Sequence, residues 1–174
     1  MVAVVCLALL LVLGVTAARR VFVLPYRALL EREAARFALS PSLVAGLVLA
    51  ESGFDAAALS PAGAVGLMQL TPDTYQWLCH KQGVSPEAGE LTDPACNLRF
   101  GCYNLSLLLG QFPDLPTALA AYNAGPARVR SWLSDPALSR DGEKLDSIPY
   151  PETETHGQRV LLYRLAYRVL YGLD

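Results

Sequence analysis

The sequence predicts an all-α domain, or an α-rich one, built from six to eight short helices. Apolar residues recur at helical spacing along most of the chain, and prolines mark the starts of several helices. No segment alternates between apolar and polar residues as a half-buried strand would, although the sequence also allows a short hairpin over residues 63–70. About 150 residues follow an apolar N-terminal stretch, which is the usual size of one compact domain.

The first helices of this domain have clear boundary signals. Residues 26–38 carry apolar residues on one face and predict an amphipathic helix. Ser40 and Pro41 predict an N-cap followed by proline at the first helical position. The helix that they open ends at Gly53, which is typical of a left-handed C-cap.

Two further helices are predicted in the middle of the chain. Thr71 and Pro72 repeat the cap-and-proline signal, and the helix after them reaches Gly83. Asn97 is interpreted as the N-cap of the next helix, which covers residues 98–109.

The C-terminal part contains three predicted helices. Residues 116–124 form a short helix that ends at Gly125, and Pro126 begins another that continues through Trp132. Residues 135–147 are predicted to be irregular, and the last helix begins near residue 151 or 153. Its apolar columns are predicted to face the core. They are Leu161, Leu165 and Val169, and Leu162, Ala166 and Leu170.

Residues 1–24 predict a membrane anchor or a signal segment, and residues 25–174 the domain itself. The first 18 residues are mostly apolar and contain no charged side chain. Eighteen residues are near the lower limit for a membrane-spanning helix. Residues 15–17 offer a small-residue cleavage pattern, but the long apolar run favours an uncleaved anchor. Arginines follow this apolar run instead of preceding it, which is opposite to what the positive-inside rule expects for an anchor with an external domain. Both alternatives place the domain outside the cytoplasm, in the cell envelope.

Charge and cysteine content exclude several functions. The net charge is −2 and no stripe of Lys and Arg is present, so the sequence argues against a nucleic-acid partner. Outside the cytoplasm the cysteines of the domain could form one disulfide, and we favour Cys79 with Cys96 or Cys102. The spacing of Cys96 and Cys102, without a nearby His pair, is poor for zinc, so no metal site is predicted.

Glu51 is the strongest single candidate for chemistry. It lies four and eight residues after Leu47 and Leu43, on the apolar face of its helix and in the last turn. Burial and the negative end of the helix dipole both disfavour a charged carboxylate, so we expect Glu51 to hold its proton, as a general acid must. A structural Glu at a helix end is the alternative. Most glycosidases need a second carboxylate, and only Asp55 and Asp73 are near in sequence.

Two further segments carry polar groups next to glycines. Residues 60–70 read SPAGAVGLMQL, in which Gly63 and Gly66 allow a tight backbone and Gln69 offers both a donor and an acceptor. Residues 120–126 read AAYNAGP and join two helices, where Tyr122 and Asn123 can face a cleft. Each segment alone is a weak signal, since an ordinary turn or helix junction would look the same.

Together, these motifs resemble the lytic transglycosylases of the soluble (Slt) type, in glycoside hydrolase family 23. ESGF at 51–54, SPAGAVGLMQ at 60–69 and AYNAG at 121–125 occur in the order of that family, followed by IPYPET at 148–153. The resemblance covers residues 26–170 and implies a lysozyme-like fold. The short chain with its apolar N-terminus is similar to the small membrane-tethered members.

The resemblance assigns roles to individual residues. Glu51 corresponds to the single catalytic acid and base. The expected substrate-binding residues are Ser60, Gly66, Met68, Gln69, Tyr122, Asn123, Tyr150 and Glu152. Tyr122 corresponds to a tyrosine hydrogen-bonded near the catalytic Glu. One departure concerns His156, which occupies a position where the family has an aromatic residue, and we interpret it as a groove or packing residue.

The resemblance also implies a reaction and its partner. Lytic transglycosylases cleave the bond between N-acetylmuramic acid and N-acetylglucosamine in peptidoglycan without water, and they leave a 1,6-anhydro end. No metal or organic cofactor is implied. Two alternatives stay open: a goose-type lysozyme, which would hydrolyse the same bond, and a glycan-binding envelope protein without activity.

Overall fold

The computed structural model describes residues 1–86 and 90–174, without the side chains of residues 2, 3, 5, 8 and 11. Helices dominate this part of the chain, which confirms the predicted fold class. The α-helices are α1 (Val2–Val21), α2 (Arg27–Arg36), α3 (Pro41–Ser52), α4 (Pro72–Gln82), α5 (Pro94–Gln111), α6 (Leu115–Ala124), α7 (Pro126–Leu133) and α8 (Pro151–Tyr171). A 3₁₀ turn covers Glu90–Thr92. Around residues 59–70 the structure contains isolated bridges of Val65 with Leu59 and Leu70 in place of a hairpin.

Most helix boundaries follow from local capping chemistry. Ser40 and Thr71 cap α3 and α4 through their side chains, and Gly53 and Gly83 end these helices in the left-handed region, as predicted. The prediction for Asn97 is wrong. Asp93 accepts the capping hydrogen bond of α5, so the helix begins one turn earlier and Asn97 lies inside it.

Helix α3 is the centre of the fold. Its residues from Ser42 to Val48 are all buried, α2 and α8 pack against it, and buried side chains of α5 belong to the same core. The most extensive of these helix contacts is with α8, and Gly46 lies where the two helices cross. A Cβ atom on Gly46 would be 2.7 Å from the backbone nitrogen of Arg164 and 2.8 Å from the carbonyl oxygen of Val160. The two helix backbones therefore approach as closely as glycine allows.

The predicted core face of α8 is wrong for three of its six residues, whereas Leu161 is partly buried and packs against the core. Leu162, Leu165 and Val169 are 61%, 56% and 75% exposed. The buried face consists instead of Thr153, His156, Gly157, Val160 and Tyr167. The helix is therefore rotated relative to the prediction, so that the face with His156 and Val160 is buried and Leu162, Leu165 and Val169 face away from the core.

Helix α1 is largely exposed, and its end is attached to α8. Arg19 donates from Nε to the carbonyl oxygen of Leu170 at 3.2 Å. Tyr171 and Tyr167 donate to the carbonyl oxygens of Phe22 and Val23, each at 2.7 Å. Judged by length and composition, no single helix within the described residues could cross a membrane; α2 and α3 meet the criterion only as a pair bent by 120°.

The favoured disulfide is not formed. All four cysteines are free thiols, and Cys102 packs in the central core whereas Cys79 and Cys96 lie in a separate cluster between α4 and α5. This separation corrects the proposed pairing of Cys79 with Cys102. Burial raises the pKa of Cys96 to about 12 and also raises that of Cys102, so both thiols stay protonated at neutral pH.

Candidate active site

A cleft of about 440 Å³ opens where α3 ends, between the 58–70 loop, α6 and the start of α8. It is lined by Glu51, Ser60, Pro61, Ala62, Ala64, Gln69, Leu70, Thr71, Thr74, Asn104, Tyr122, Asn123 and Glu152. Five of the residues expected to bind substrate are in this set. The cleft therefore brings together groups from all the motifs that the sequence singled out.

Glu51 occupies the last turn of α3, and its side chain is only 14% exposed. The next residue fixes this end of the helix, because Ser52 Oγ donates to the carbonyl oxygen of Leu67 at 2.8 Å. Glu51 Oε1 lies 2.9 Å from Nε2 of His156. The carboxyl group is thus mostly shielded from solvent, next to an imidazole and at the mouth of the cleft.

His156 is the contact that sequence reasoning missed. It is buried on the face of α8 that packs against the core, so the expectation of a packing residue holds but is incomplete. It comes 105 residues after Glu51, and only the crossing of α3 and α8 brings the two side chains together. The helical spacing of Thr153, His156 and Val160 is the one sequence signal for a buried histidine on this face.

The loop that forms one wall of the cleft is held by its own hydrogen bonds. The backbone nitrogen of Ser60 donates to the carbonyl oxygen of Ala64 at 2.9 Å, and Ser60 Oγ accepts from the nitrogen of Ala64 at 3.0 Å. Gln69 has a φ of +47° and donates from Nε2 to the carbonyl oxygens of Gly66 and Ala58. The amide oxygen of Gln69 is therefore the end of this side chain available to a ligand.

Asn97 fixes the same loop from behind. Its Nδ2 donates to the carbonyl oxygens of Val65 at 2.9 Å and Leu91 at 2.8 Å, and its Oδ1 accepts from the nitrogen of Met68 at 2.8 Å. Gly66 packs against this amide, since a Cβ there would be 2.3 Å from Nδ2. Gly66 is therefore needed for loop packing and does not line the cleft, which corrects its assignment as a substrate-binding residue.

Met68 also lies outside the cleft. Its side chain is fully buried and covers Gly101, where a Cβ would be 2.2 Å from the methionine sulfur. The expectation that Met68 lines the groove is thus wrong for its side chain. Its backbone contributes indirectly, because Tyr122 Oη donates to the carbonyl oxygen of Met68 at 2.7 Å.

Tyr122 connects α6 to the loop and stays neutral. Burial, followed by the nearby Glu51 and Cys102, raises the pKa of its phenol well above 10.0. The hydroxyl therefore remains a donor at any physiological pH. In the structure this donor is directed to Met68 and not to Glu51, so Tyr122 acts on the site through the loop.

Tyr122→Phe is expected to lower the free energy of unfolding by about 1 kcal/mol near neutral pH, because one hydrogen bond is lost. The variant should also be less sensitive to alkali. The folded state holds the phenol proton above pH 10.0, where the unfolded chain releases it, so the wild type loses stability as pH rises beyond that value. Urea unfolding at neutral and alkaline pH measures both effects. If the wild type and Tyr122→Phe lost the same free energy of unfolding between neutral and alkaline pH, the raised pKa of Tyr122 would be contradicted.

The start of α8 completes the cleft. Asn123 Oδ1 accepts from Thr153 Oγ1 at 2.8 Å and so joins α6 to α8, and Glu152 is exposed on the same rim. Tyr150 does not belong here. Its ring packs edge-on against Trp132 at 5.1 Å between centroids, under the guanidinium of Arg128. Tyr150 is thus not among the residues that line the cleft, and its contact with substrate stays a prediction.

The acidic residues nearest to Glu51 in sequence do not join it. Asp55 accepts from the nitrogen of Ala57 at 2.8 Å and stabilises a turn. Asp73 lies in the first turn of α4 and lines a neighbouring cavity. Of the described residues, only Glu51 and Glu152 bring carboxylates to the cleft wall.

The cleft continues into a second cavity of about 480 Å³. Thr74, Asn104 and Tyr122 line both spaces, so the two form one elongated surface. Trp77 at its far side is 44% exposed and offers an aromatic face. Such a length suits a polymer more than a small metabolite.

Comparisons with known proteins agree with this geometry. Residues 28–143 match the family model described as the transglycosylase SLT domain. The chain is 34% identical over 155 residues to the soluble lytic murein transglycosylase of Escherichia coli K12, covering 87% of this chain and 24% of that protein.

Solved structures give the same result. An inactive mutant of the lytic transglycosylase Slt from Pseudomonas aeruginosa shares 37% identity at a TM-score of 0.76, over 88% of this chain and 25% of that one. The 70-kDa soluble lytic transglycosylase in complex with bulgecin A shares 31% identity at a TM-score of 0.79, over 89% and 26%. The chain thus spans about a quarter of the length of these relatives.

Proposed function

Because this chain belongs to the transglycosylase SLT domain family, we propose that it is a peptidoglycan lytic transglycosylase with Glu51 as its catalytic acid and base. The observation that carries the proposal is the position of Glu51, shielded but at the mouth of an elongated cleft. A carboxyl group that lines such a cleft is placed to donate a proton to a bound glycan.

The proposed reaction needs one carboxyl group for two steps. Glu51 donates its proton to the glycosidic oxygen as the bond from C1 of N-acetylmuramic acid breaks, and the N-acetyl group of that sugar stabilises the cationic centre. The Glu51 carboxylate then takes the proton of the C6 hydroxyl while its oxygen bonds to C1. Atoms balance without water, and Glu51 ends protonated. The intramolecular nucleophile has a high effective concentration, so no base is needed to position a water molecule.

We assign substrate contacts to the polar residues on the cleft wall. The amide oxygen of Gln69 accepts a hydrogen bond from sugar substituents, and Ser60 maintains the loop geometry near Glu51. Asn123 and Glu152 face the glycan from the opposite side. Tyr122 sets the position of the Gln69 loop through the carbonyl of Met68.

The mass of the product tests this proposal. Purified peptidoglycan is digested with the wild type and with Glu51→Gln, and soluble muropeptides are analysed by mass spectrometry. We expect 1,6-anhydro products, one water lighter than hydrolysis products, from the wild type only. Products that contain the added water would overturn the transglycosylase assignment.

A hydrolase is the second candidate because Glu152 also brings a carboxylate to the cleft. A hydrolase on this site would use that group to activate water. If the reaction is a transglycosylation, the products of Glu152→Gln should therefore still be anhydro products by mass, even where a lost substrate contact slows their release. Loss of hydrated products in this variant would favour the lysozyme-like alternative.

We further propose an extracytoplasmic location with the catalytic domain, residues 25–174, tethered to the membrane by residues 1–24. This arrangement corresponds to the small membrane-tethered members of glycoside hydrolase family 23. The uncharged sequence of residues 1–18 supports it. Membrane fractionation of cells that express the full chain, compared with a variant lacking residues 1–24, tests the tether. A full chain that fractionates as soluble protein would contradict it.

A further inference from the structure

We infer that His156 is a positioning residue that donates from Nε2 to Oε1 of Glu51 and thereby keeps the catalytic proton on Oε2, the oxygen left for the cleft. The inference rests on the proposed role of Glu51 and goes beyond it, because it assigns the proton to one oxygen of the carboxyl group. It concerns a residue that this chain has in place of the aromatic expected from the resemblance.

The contact has the geometry of a strong, shielded hydrogen bond. Nε2 and Oε1 are 2.9 Å apart, and the side chains of His156 and Glu51 are 5% and 14% exposed. Both side chains come from helices whose backbones approach closely at Gly46, which places the two residues next to each other. The imidazole therefore fixes the plane of the carboxyl group.

The other ring nitrogen determines which proton arrangement is stable. Nδ1 of His156 is buried and has no hydrogen-bond partner among the described residues. A buried N–H without an acceptor is less tolerable than a buried lone pair. The ring is therefore expected to carry its single proton on Nε2, where Glu51 accepts it, and to leave Nδ1 unprotonated.

The same geometry disfavours transfer of the Glu51 proton to the imidazole. Transfer of that proton to the imidazole would create an N–H at Nδ1 with no acceptor and a buried charge on both partners. Since Oε1 already accepts from Nε2, the proton of neutral Glu51 belongs on Oε2. After Glu51 has protonated the glycosidic oxygen, the Nε2 donor stabilises the resulting carboxylate until it acts as the base.

The surrounding titratable groups do not replace this pair. Tyr122 on α6 is kept neutral by its raised pKa, and Cys102 on α5 is likewise a neutral thiol. Glu152 on α8 is exposed on the rim of the cleft. The proton arrangement where Glu51 lines the cleft thus depends on Glu51 and His156.

The first test observes the tautomer directly. The chain has two histidines, and the other, His80, is exposed on α4. Ring nitrogens of the ¹⁵N-labelled full chain are recorded by NMR at neutral pH, and His80→Gln identifies the His156 signals. We expect a protonated Nε2 and an unprotonated Nδ1. A doubly protonated ring, or a proton on Nδ1, would overturn the inference.

The second test is kinetic. His156→Phe removes the donor and is expected to lower kcat by roughly 10- to 100-fold with little change in KM, as for a lost hydrogen bond to a charged group. His156→Gln retains an N–H at a similar reach and should recover kcat to within about threefold of the wild type. His80→Phe is the matched control and should leave both constants unchanged.

The outcomes separate this inference from the proposed function. A wild type that gives no anhydro products would refute the function, while the NMR experiment would still decide the hydrogen bond. An active wild type whose folded His156→Phe variant has unchanged kcat would refute the inference alone. If His156→Phe does not fold, His156→Gln decides: a kcat reduced more than tenfold counts against the role of the donor.

Discussion

Glu51→Gln is expected to slow glycan cleavage by about 100- to 10,000-fold, the usual contribution of a general acid. The amide cannot donate a proton to the glycosidic oxygen or remove one from the C6 hydroxyl, so both steps fail. The release of soluble muropeptides from purified peptidoglycan over time measures the effect.

The fold and glycan binding should survive this change. The carbonyl of a glutamine can accept from His156 Nε2 at the position that Oε1 now occupies. Glu154→Gln is the control, since Glu154 is exposed on the first turn of α8 and bonded to Gln158. An activity above about one tenth of the wild type in Glu51→Gln would contradict a general-acid role.

Gly46→Ala is expected to destabilise the domain by about 3 kcal/mol, the upper part of the range for overpacking a core. The added methyl would lie within 2.8 Å of two backbone atoms of α8, which cannot move aside as a flexible side chain could. For a domain of this size, such a loss lowers the melting temperature by roughly 10 °C. Thermal unfolding followed by circular dichroism measures it.

Gly110→Ala provides a matched comparison. Gly110 is exposed in the last turn of α5, and no heavy atom lies within 4 Å of the position of an added Cβ. Here alanine should stabilise the protein by up to about 1 kcal/mol because it favours helix over the unfolded chain. Similar melting temperatures for the two variants would refute the close helix contact at Gly46.

Local signals in the sequence were enough to predict most helix ends. Ser40 and Thr71 each precede a proline and a helical pattern, and their side chains do cap α3 and α4. Glu51 could be placed in the last turn of α3 in the same way. These features depend on a few neighbouring residues, so a sequence window contains all the information that they need.

Features that depend on tertiary packing could not be predicted in this way. The leucines of α8 suggested a core face, yet the close contact at Gly46 selects the face with His156 and Val160. Asn97 has the side chain of a typical cap, but three distant backbone groups use it instead. The pairing of Glu51 with His156 likewise exists only after two helices have crossed.

The three hydrogen bonds of Asn97 have a consequence for how a substrate enters. They attach the Gln69 loop to α5, so the loop cannot swing open unless a buried amide gives up its partners. The cleft wall beside Glu51 is therefore expected to keep its shape when a substrate binds. Under the proposed function, a glycan strand is expected to bind against a wall of unchanging shape, so the width of the cleft and not a moving loop limits which strands can bind.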